Sequence, residues 1–131
     1  GGSGDAAAAI ARMLRGKKAI WTKPLVVLID SHTRSAKEML AHDLKGARNI
    51  RLVGQTTAGA VRPCTFVAVG RSTYLMTPLG SGIDPQYTKD IELVGVSPDV
   101  PVDEDLRYSN GTDPILDRGL EELSRLAMRR L

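Results

Sequence analysis

Five unbroken apolar residues, Leu25-Val26-Val27-Leu28-Ile29, follow Pro24 and stop at Asp30. A run this short, rich in branched side chains and bounded by turn formers, predicts a strand buried on both faces. Residues 31–34 are polar and turn-like. Residues 35–45 then change period, with Met39, Leu40 and Leu44 on one helical face. Ile50 to Val53 reads as a second short strand closed by Gly54. Upstream, Asp5 suits an N-cap and residues 6–14 form helix, with Ile10, Met13 and Leu14 at helical spacing. The order helix, strand, helix, strand implies parallel strands with helices packed on them.

After Gly59 the period becomes two. Residues 65–69 and 72–76 flank Gly70-Arg71 and predict an antiparallel hairpin. Residues 78–87 read as a Gly- and Pro-rich loop, residues 90–94 as a short strand, and residues 97–102 as extended chain, since each proline restricts its predecessor. Residues 103–111 are polar and loop-like. Thr112-Asp113-Pro114 is a helix start, and Leu116, Leu120, Leu123 and Leu126 run down one face after it. No internal repeat is visible.

Composition narrows the function classes. The chain has 131 residues, a formal charge of +3 and one Trp, three Tyr and one Phe. So few aromatics argue against stacking on bases or sugars. The basic residues are scattered, with short runs only at residues 15–18 and 129–130. A nucleic-acid footprint clusters them more strongly, and no nucleic-acid partner is expected. The single cysteine, Cys64, allows no intrachain disulfide and no multi-cysteine zinc site. Inside a strand-like run it reads as a small core residue. No stretch has the length of a membrane span, and no signal peptide is visible.

The chemistry concentrates at residues 29–38, Ile-Asp-Ser-His-Thr-Arg-Ser-Ala-Lys-Glu. A strand delivers the chain to a polar turn, and Ser35 opens the next helix. A hydroxyl there sits beside free N–H groups and the positive end of the dipole, and the Ala36 amide could serve an oxyanion. Ser35-x-x-Glu38 is equally a capping box, in which the serine only closes the helix, and the two roles compete for one hydroxyl. His32 lies in the same turn and His42 on the following helix; both read as surface residues. No phosphate loop and no His-Glu-x-x-His zinc motif occurs, and Gly80-Ser81-Gly82 is a plain loop. No metal and no cofactor is expected.

Four segments in order resemble one family. Pro24-Leu-Val-Val-Leu-Ile-Asp30 followed by Ser35-Ala-Lys-Glu38 is similar to the strand and Ser-Ala-x-Glu signature of C-terminal processing (tail-specific) serine peptidases. Residues 52–60, Leu-Val-Gly-Gln-Thr-Thr-Ala-Gly-Ala, resemble their Val-Gly-Glu-x-Thr-x-Gly segment. Residues 95–100, Gly-Val-Ser-Pro-Asp-Val, resemble their Gly-Val-x-Pro-Asp segment. Gly1-Gly2-Ser3-Gly4-Asp5 resembles the end of their Asp-Leu-Arg-x-Asn-x-Gly-Gly motif, although by itself it reads equally well as a flexible linker.

The resemblance implies an α/β fold, a ClpP/crotonase-like spiral of strands and helices with a β-hairpin insertion. The whole of residues 1–131 would be the C-terminal part of a peptidase catalytic domain whose upstream part is absent from this chain. It implies Ser35 as nucleophile, Glu38 as a group holding the site together, and an oxyanion hole of the Ala36 amide with Gly1 and Gly2. Thr57, Ala58, Gly59 and Ala60 would contact substrate, a protein tail or peptide held extended beside the hairpin. It also implies export, for instance to the periplasm. Many members carry a lysine base where this chain has Ala60. Membership in the tricorn-like and retinoid-binding-protein-like branch would account for that. There a glutamate matching Glu92 and an upstream histidine, outside this chain, assist the serine. An engineered Lys-to-Ala change or a natural loss of activity would also leave alanine at this position. A non-catalytic binding module and a crotonase-like acyl-CoA enzyme remain the competing functions, and the chain alone is expected to be inactive.

Overall fold

The computed structural model describes residues 2–80, 84–103 and 110–128. Gly1 and residues 81–83, 104–109 and 129–131 lie outside them, and with them most of the loops expected at Gly80-Ser81-Gly82 and at 103–111. Helix α1 spans Gly4–Leu14, strand β1 Leu25–Ile29, helix α2 Ala36–Leu44 and strand β2 Ile50–Gly54. The hairpin β3–β4 covers Cys64–Ala68 and Tyr74–Pro78. Helix α3 (Pro85–Ile91), strand β5 (Val100–Pro101) and helix α4 (Pro114–Met128) follow. The main sheet is parallel, in the order β1-β2-β5, with Leu25 opposite Ile50 and Val53 opposite Val100.

Alternation along the strands decides which helix covers which face. Leu25, Val27 and Ile29 of β1 join Ile50 and Leu52 of β2 in one core. Ala11 of α1, Ala41 and Leu44 of α2, and Ile91 of α3 close it. Helix α4 lies against the opposite face of β1. There Gly119 meets Leu28 and Val26, while Ile115 reaches Gly54. A Cβ at Gly119 would fall 2.5 Å from a Leu28 methyl, so the absent side chain sets how closely the helix approaches.

Several expectations need correction. β1 lies at the edge of the described sheet and is covered on both faces only in part, with Leu28 42% exposed. The cap of α1 is Ser3, whose hydroxyl accepts from the Ala6 amide at 3.3 Å; Asp5 lies inside the first turn. Residues 90–94 form no strand. Asp84 caps α3 through the Gln86 amide at 2.9 Å, and Pro85 occupies its first turn. The helix runs to Ile91, which is fully buried, and the chain then turns through Leu93 at φ 65°. The face of α4 that docks is Ile115 and Gly119, so Leu116, Leu120 and Leu123 point outward. Cys64 is exposed on β3 and is no core residue.

The hairpin pairs antiparallel from Cys64–Pro78 to Ala68–Tyr74, close to the residues predicted. Phe66, Val67, Tyr74, Leu75 and Met76 are all exposed, so neither face of the ribbon is buried within this chain. No helix among the described residues is long and apolar enough to cross a membrane.

His42 is half-buried, contrary to its surface reading. Its ring lies 3.4 Å from both Asp43 and Asp90 and edge-on to Tyr87. The Tyr87 hydroxyl donates to Asp43 at 2.8 Å, tying α3 to α2. Burial, then that bond to Asp43, pushes the phenol up to about 12. The fold therefore favours the neutral phenol. That contribution is complete below pH ~10 and lost as pH climbs toward 12. Thermal melts should show stability falling over this alkaline window, and the fall should shrink in Tyr87→Phe. An unchanged alkaline slope in that variant would rule out the linkage.

Candidate active site

The polar turn after β1 is built by Asp30. Its carboxylate accepts from the Thr33 hydroxyl at 2.7 Å and the His32 amide at 3.1 Å, while the Asp30 amide donates back to Thr33 Oγ1 at 3.2 Å. The Thr33 hydroxyl, then the Thr33 and His32 amides, hold the Asp30 carboxyl below its ordinary range against the opposing pull of burial. This closed turn carries the chain from strand to helix and presents Ser35.

Ser35 adopts φ 64° and ψ −136°, a conformation that residues other than glycine avoid. Its amide is fixed from two sides, donating to Glu38 Oε2 at 3.0 Å and to the Ala60 carbonyl at 3.0 Å. Ser35 and Glu38 stand in the reciprocal arrangement of a capping box, and its carboxylate end is the bond from the Ser35 amide. The Glu38 amide donates to the Ser35 carbonyl at 2.8 Å, so the hydroxyl, although in capping-box range of that amide, is not its main acceptor. The Ser35 hydroxyl therefore sits at the cap position of α2 on a backbone of positive φ. The hydroxyl is half-buried at the head of α2, with the Ala36 amide in the helix's unbonded first turn.

Strain of this kind costs on the order of 1–3 kcal/mol. Ser35→Gly relieves it and pays back part in chain entropy. The variant should gain about 1 kcal/mol in urea unfolding. A loss of stability would mean that the turn is relaxed as it stands.

Glu38 is fully buried and organises everything around the serine. Oε1 accepts from the Thr57 hydroxyl at 2.6 Å and the Gly59 amide at 2.7 Å. Oε2 accepts from the amides of Ser35 at 3.0 Å and Ala60 at 2.9 Å. One carboxylate thereby ties the head of α2 to residues 57–60. Thr57 is tied further, accepting from the Val96 amide at 2.8 Å. Gly59 sits at φ 67°, where an added Cβ would meet the Val94 amide at 2.9 Å, so this approach requires glycine.

Of the other expected site residues, Gly2 packs beside Ala36: a Cβ on Gly2 would lie 3.3 Å from that of Ala36. Gly1 lies outside the described residues. Thr57 and Gly59 are interior, whereas Ala58 and Ala60 are exposed. Glu92 caps the end of α3 and accepts from the amides of Val61 at 3.0 Å and Arg62 at 3.1 Å. It reaches the main chain one residue beyond Ala60 and braces that segment. His32 is exposed, 3.5 Å from Ser31 Oγ. No group of three or more metal-ligating side chains clusters among the described residues. A hollow of about 240 Å³ lies between the end of β1 and the start of α4, lined by Asp30, Thr33 and Asp113 among others. The bond from Ser35 to the Ala60 carbonyl and the lock between Thr57 and Val96 had no signal in the sequence, because main-chain partners leave none.

The sequence profile of the family described as Peptidase family S41 matches residues 1–102. The chain belongs to that peptidase family. Among solved structures, the photosystem II D1 C-terminal processing protease superposes with a TM-score of 0.59 at 27% identity, over 97% of this chain and 36% of that one. The tricorn protease superposes with a TM-score of 0.61 at 18% identity, over 83% of this chain and 11% of that one, a likeness of fold. The chain thus spans about a third of the first relative and a ninth of the second. No curated protein matches it. As a member of the peptidase family the chain has the expected mixed α/β fold with parallel strands.

Proposed function

We propose that this chain is the nucleophile-bearing part of a serine peptidase domain that cuts protein C-terminal tails or peptides, and that Ser35 forms the acyl-enzyme. The observation that carries the reading is the Ser35 backbone: a serine held at positive φ between strand and helix, with its amide tied to Glu38 and to the Ala60 carbonyl. A strained strand-to-helix turn exposes a nucleophile in other hydrolases for the same reason. Ser35 Oγ would attack the scissile carbonyl carbon while its proton passes to a base. The amides of Ala36 and the adjoining glycine turn would hold the oxyanion. The C–N bond then breaks, the amine leaves with a proton, and water releases the acid from Ser35. Glu38 and Glu92 act through the main chain, as positioning residues. Since Thr57 and Gly59 face inward, direct substrate contact in this stretch would fall to Ala58 and Ala60.

The second reading is a peptide- or ligand-binding module of the same fold. Ala60 favours it, because alanine stands where many members of the family carry a lysine. A fluorophosphonate probe separates the two. Stoichiometric labelling of the longest natural form of the protein, abolished by Ser35→Ala, supports the peptidase. No labelling together with retained peptide binding selects the module. The 131-residue chain by itself is expected not to turn over denatured protein, and turnover would contradict that.

A further inference from the structure

A different surface carries an inference independent of the peptidase reading. Between Ala6 and Ile29 the sequence has five cations, Arg12, Arg15, Lys17, Lys18 and Lys23, and no carboxylate. The structure gathers them with apolar side chains. After α1 the chain turns at Gly16, φ 90°, and folds back so that the amides of Ile20 and Trp21 donate to the Met13 carbonyl at 2.9 and 3.3 Å. Arg12, Met13, Arg15, Lys17, Lys18 and Ile20 then line one shallow basin of about 590 Å³. Ile20 is 73% exposed, Met13 47% and Trp21 44%. Lys23 sits 5.8 Å over the Trp21 ring.

We infer that this face docks on an anionic lipid bilayer. Each component answers one layer of such a surface. Lysines and arginines meet the lipid phosphates, Trp21 suits the interface, and Ile20 and Met13 reach the acyl boundary. The four cations around the basin make no hydrogen bond or ion pair with described side chains, so they are free to follow a fluid array of headgroups. A nucleic acid would gain nothing from Ile20 and Met13, and one aromatic is no stacking platform. The attachment lies on the membrane and needs no span.

Trp21 is the chain's single tryptophan, so its emission reports the docking directly. Vesicles of three parts phosphatidylcholine to one part phosphatidylglycerol should shift that emission to the blue and carry the chain down on centrifugation. Pure phosphatidylcholine vesicles should do neither. The pair Lys17→Gln with Lys18→Gln, both exposed, should weaken partition roughly tenfold or more. Ile20→Ser should weaken it with the charges intact. Absence of the shift on anionic vesicles, equal binding to neutral ones, or indifference to Ile20→Ser overturns the inference. Tighter binding to soluble poly-glutamate than to the vesicles overturns it in favour of an acidic protein partner.

Discussion

Glu38→Ala should destabilise the fold by about 3–5 kcal/mol, a large share of the stability of a small domain. The carboxylate serves four donors, and they do not suffer equally. The Ser35 amide keeps the Ala60 carbonyl, and the Thr57 hydroxyl still accepts from Val96. The Gly59 amide keeps nothing in a buried place, and the Ala60 amide must find water. An orphaned buried donor costs about 1–3 kcal/mol, and the cavity adds to it. Glu38→Gln keeps the volume but turns an NH2 group toward two donors, so it should fall between wild type and alanine. Urea unfolding of the three proteins checks the order. A loss below about 1 kcal/mol for alanine would show that the four bonds do not hold the segments together.

Ala60→Lys should raise the reactivity of Ser35 more than any other single change. Residue 60 touches the serine through its main chain, with the Ser35 amide 3.0 Å from the Ala60 carbonyl, and its side chain is exposed. In the proposed mechanism an amine started from that Cβ would take the hydroxyl proton. A positioned base is worth about 10²–10⁴ in rate. The fluorophosphonate labelling rate should therefore rise at least ~100-fold and climb with pH as the amine loses its proton. Because the site is exposed, stability should move by less than about 0.5 kcal/mol. An unchanged labelling rate in a folded variant would remove the serine from the role proposed for it.

The parallel β1–β2 pair and the helix between them were legible because branched apolar runs and a helical stripe sit side by side in the sequence. Ser35 was legible as a candidate for the same local reason, and so was its ambiguity with a cap. What the sequence could not show, the positive φ and the bond from the Ser35 amide to the Ala60 carbonyl, depends on residues 25 positions apart. The role of Glu38 was half legible: the Ser-x-x-Glu spacing points to the Ser35 amide but says nothing of Thr57 or Gly59. The leucines of α4 misled because Gly119, and not a leucine, decides which face can approach β1. Residues 90–94 misled because Ile-Glu-Leu-Val alternates like a strand, while Asp84-Pro85 upstream had already set a helix in motion. Membership in the peptidase family was legible through motif order, which no single motif could have carried.

Among the described residues the hairpin β3–β4 is exposed on both faces, with Thr77 alone half-buried. A two-stranded ribbon is marginal by itself, so little couples its fate to that of the main sheet. Its amides should trade protons with solvent through local opening, while those of β2 wait for the whole molecule to come apart. The chain should therefore behave as two units of unequal tenacity: a firm body that holds the serine, and a loosely moored arm that a neighbouring surface could steady.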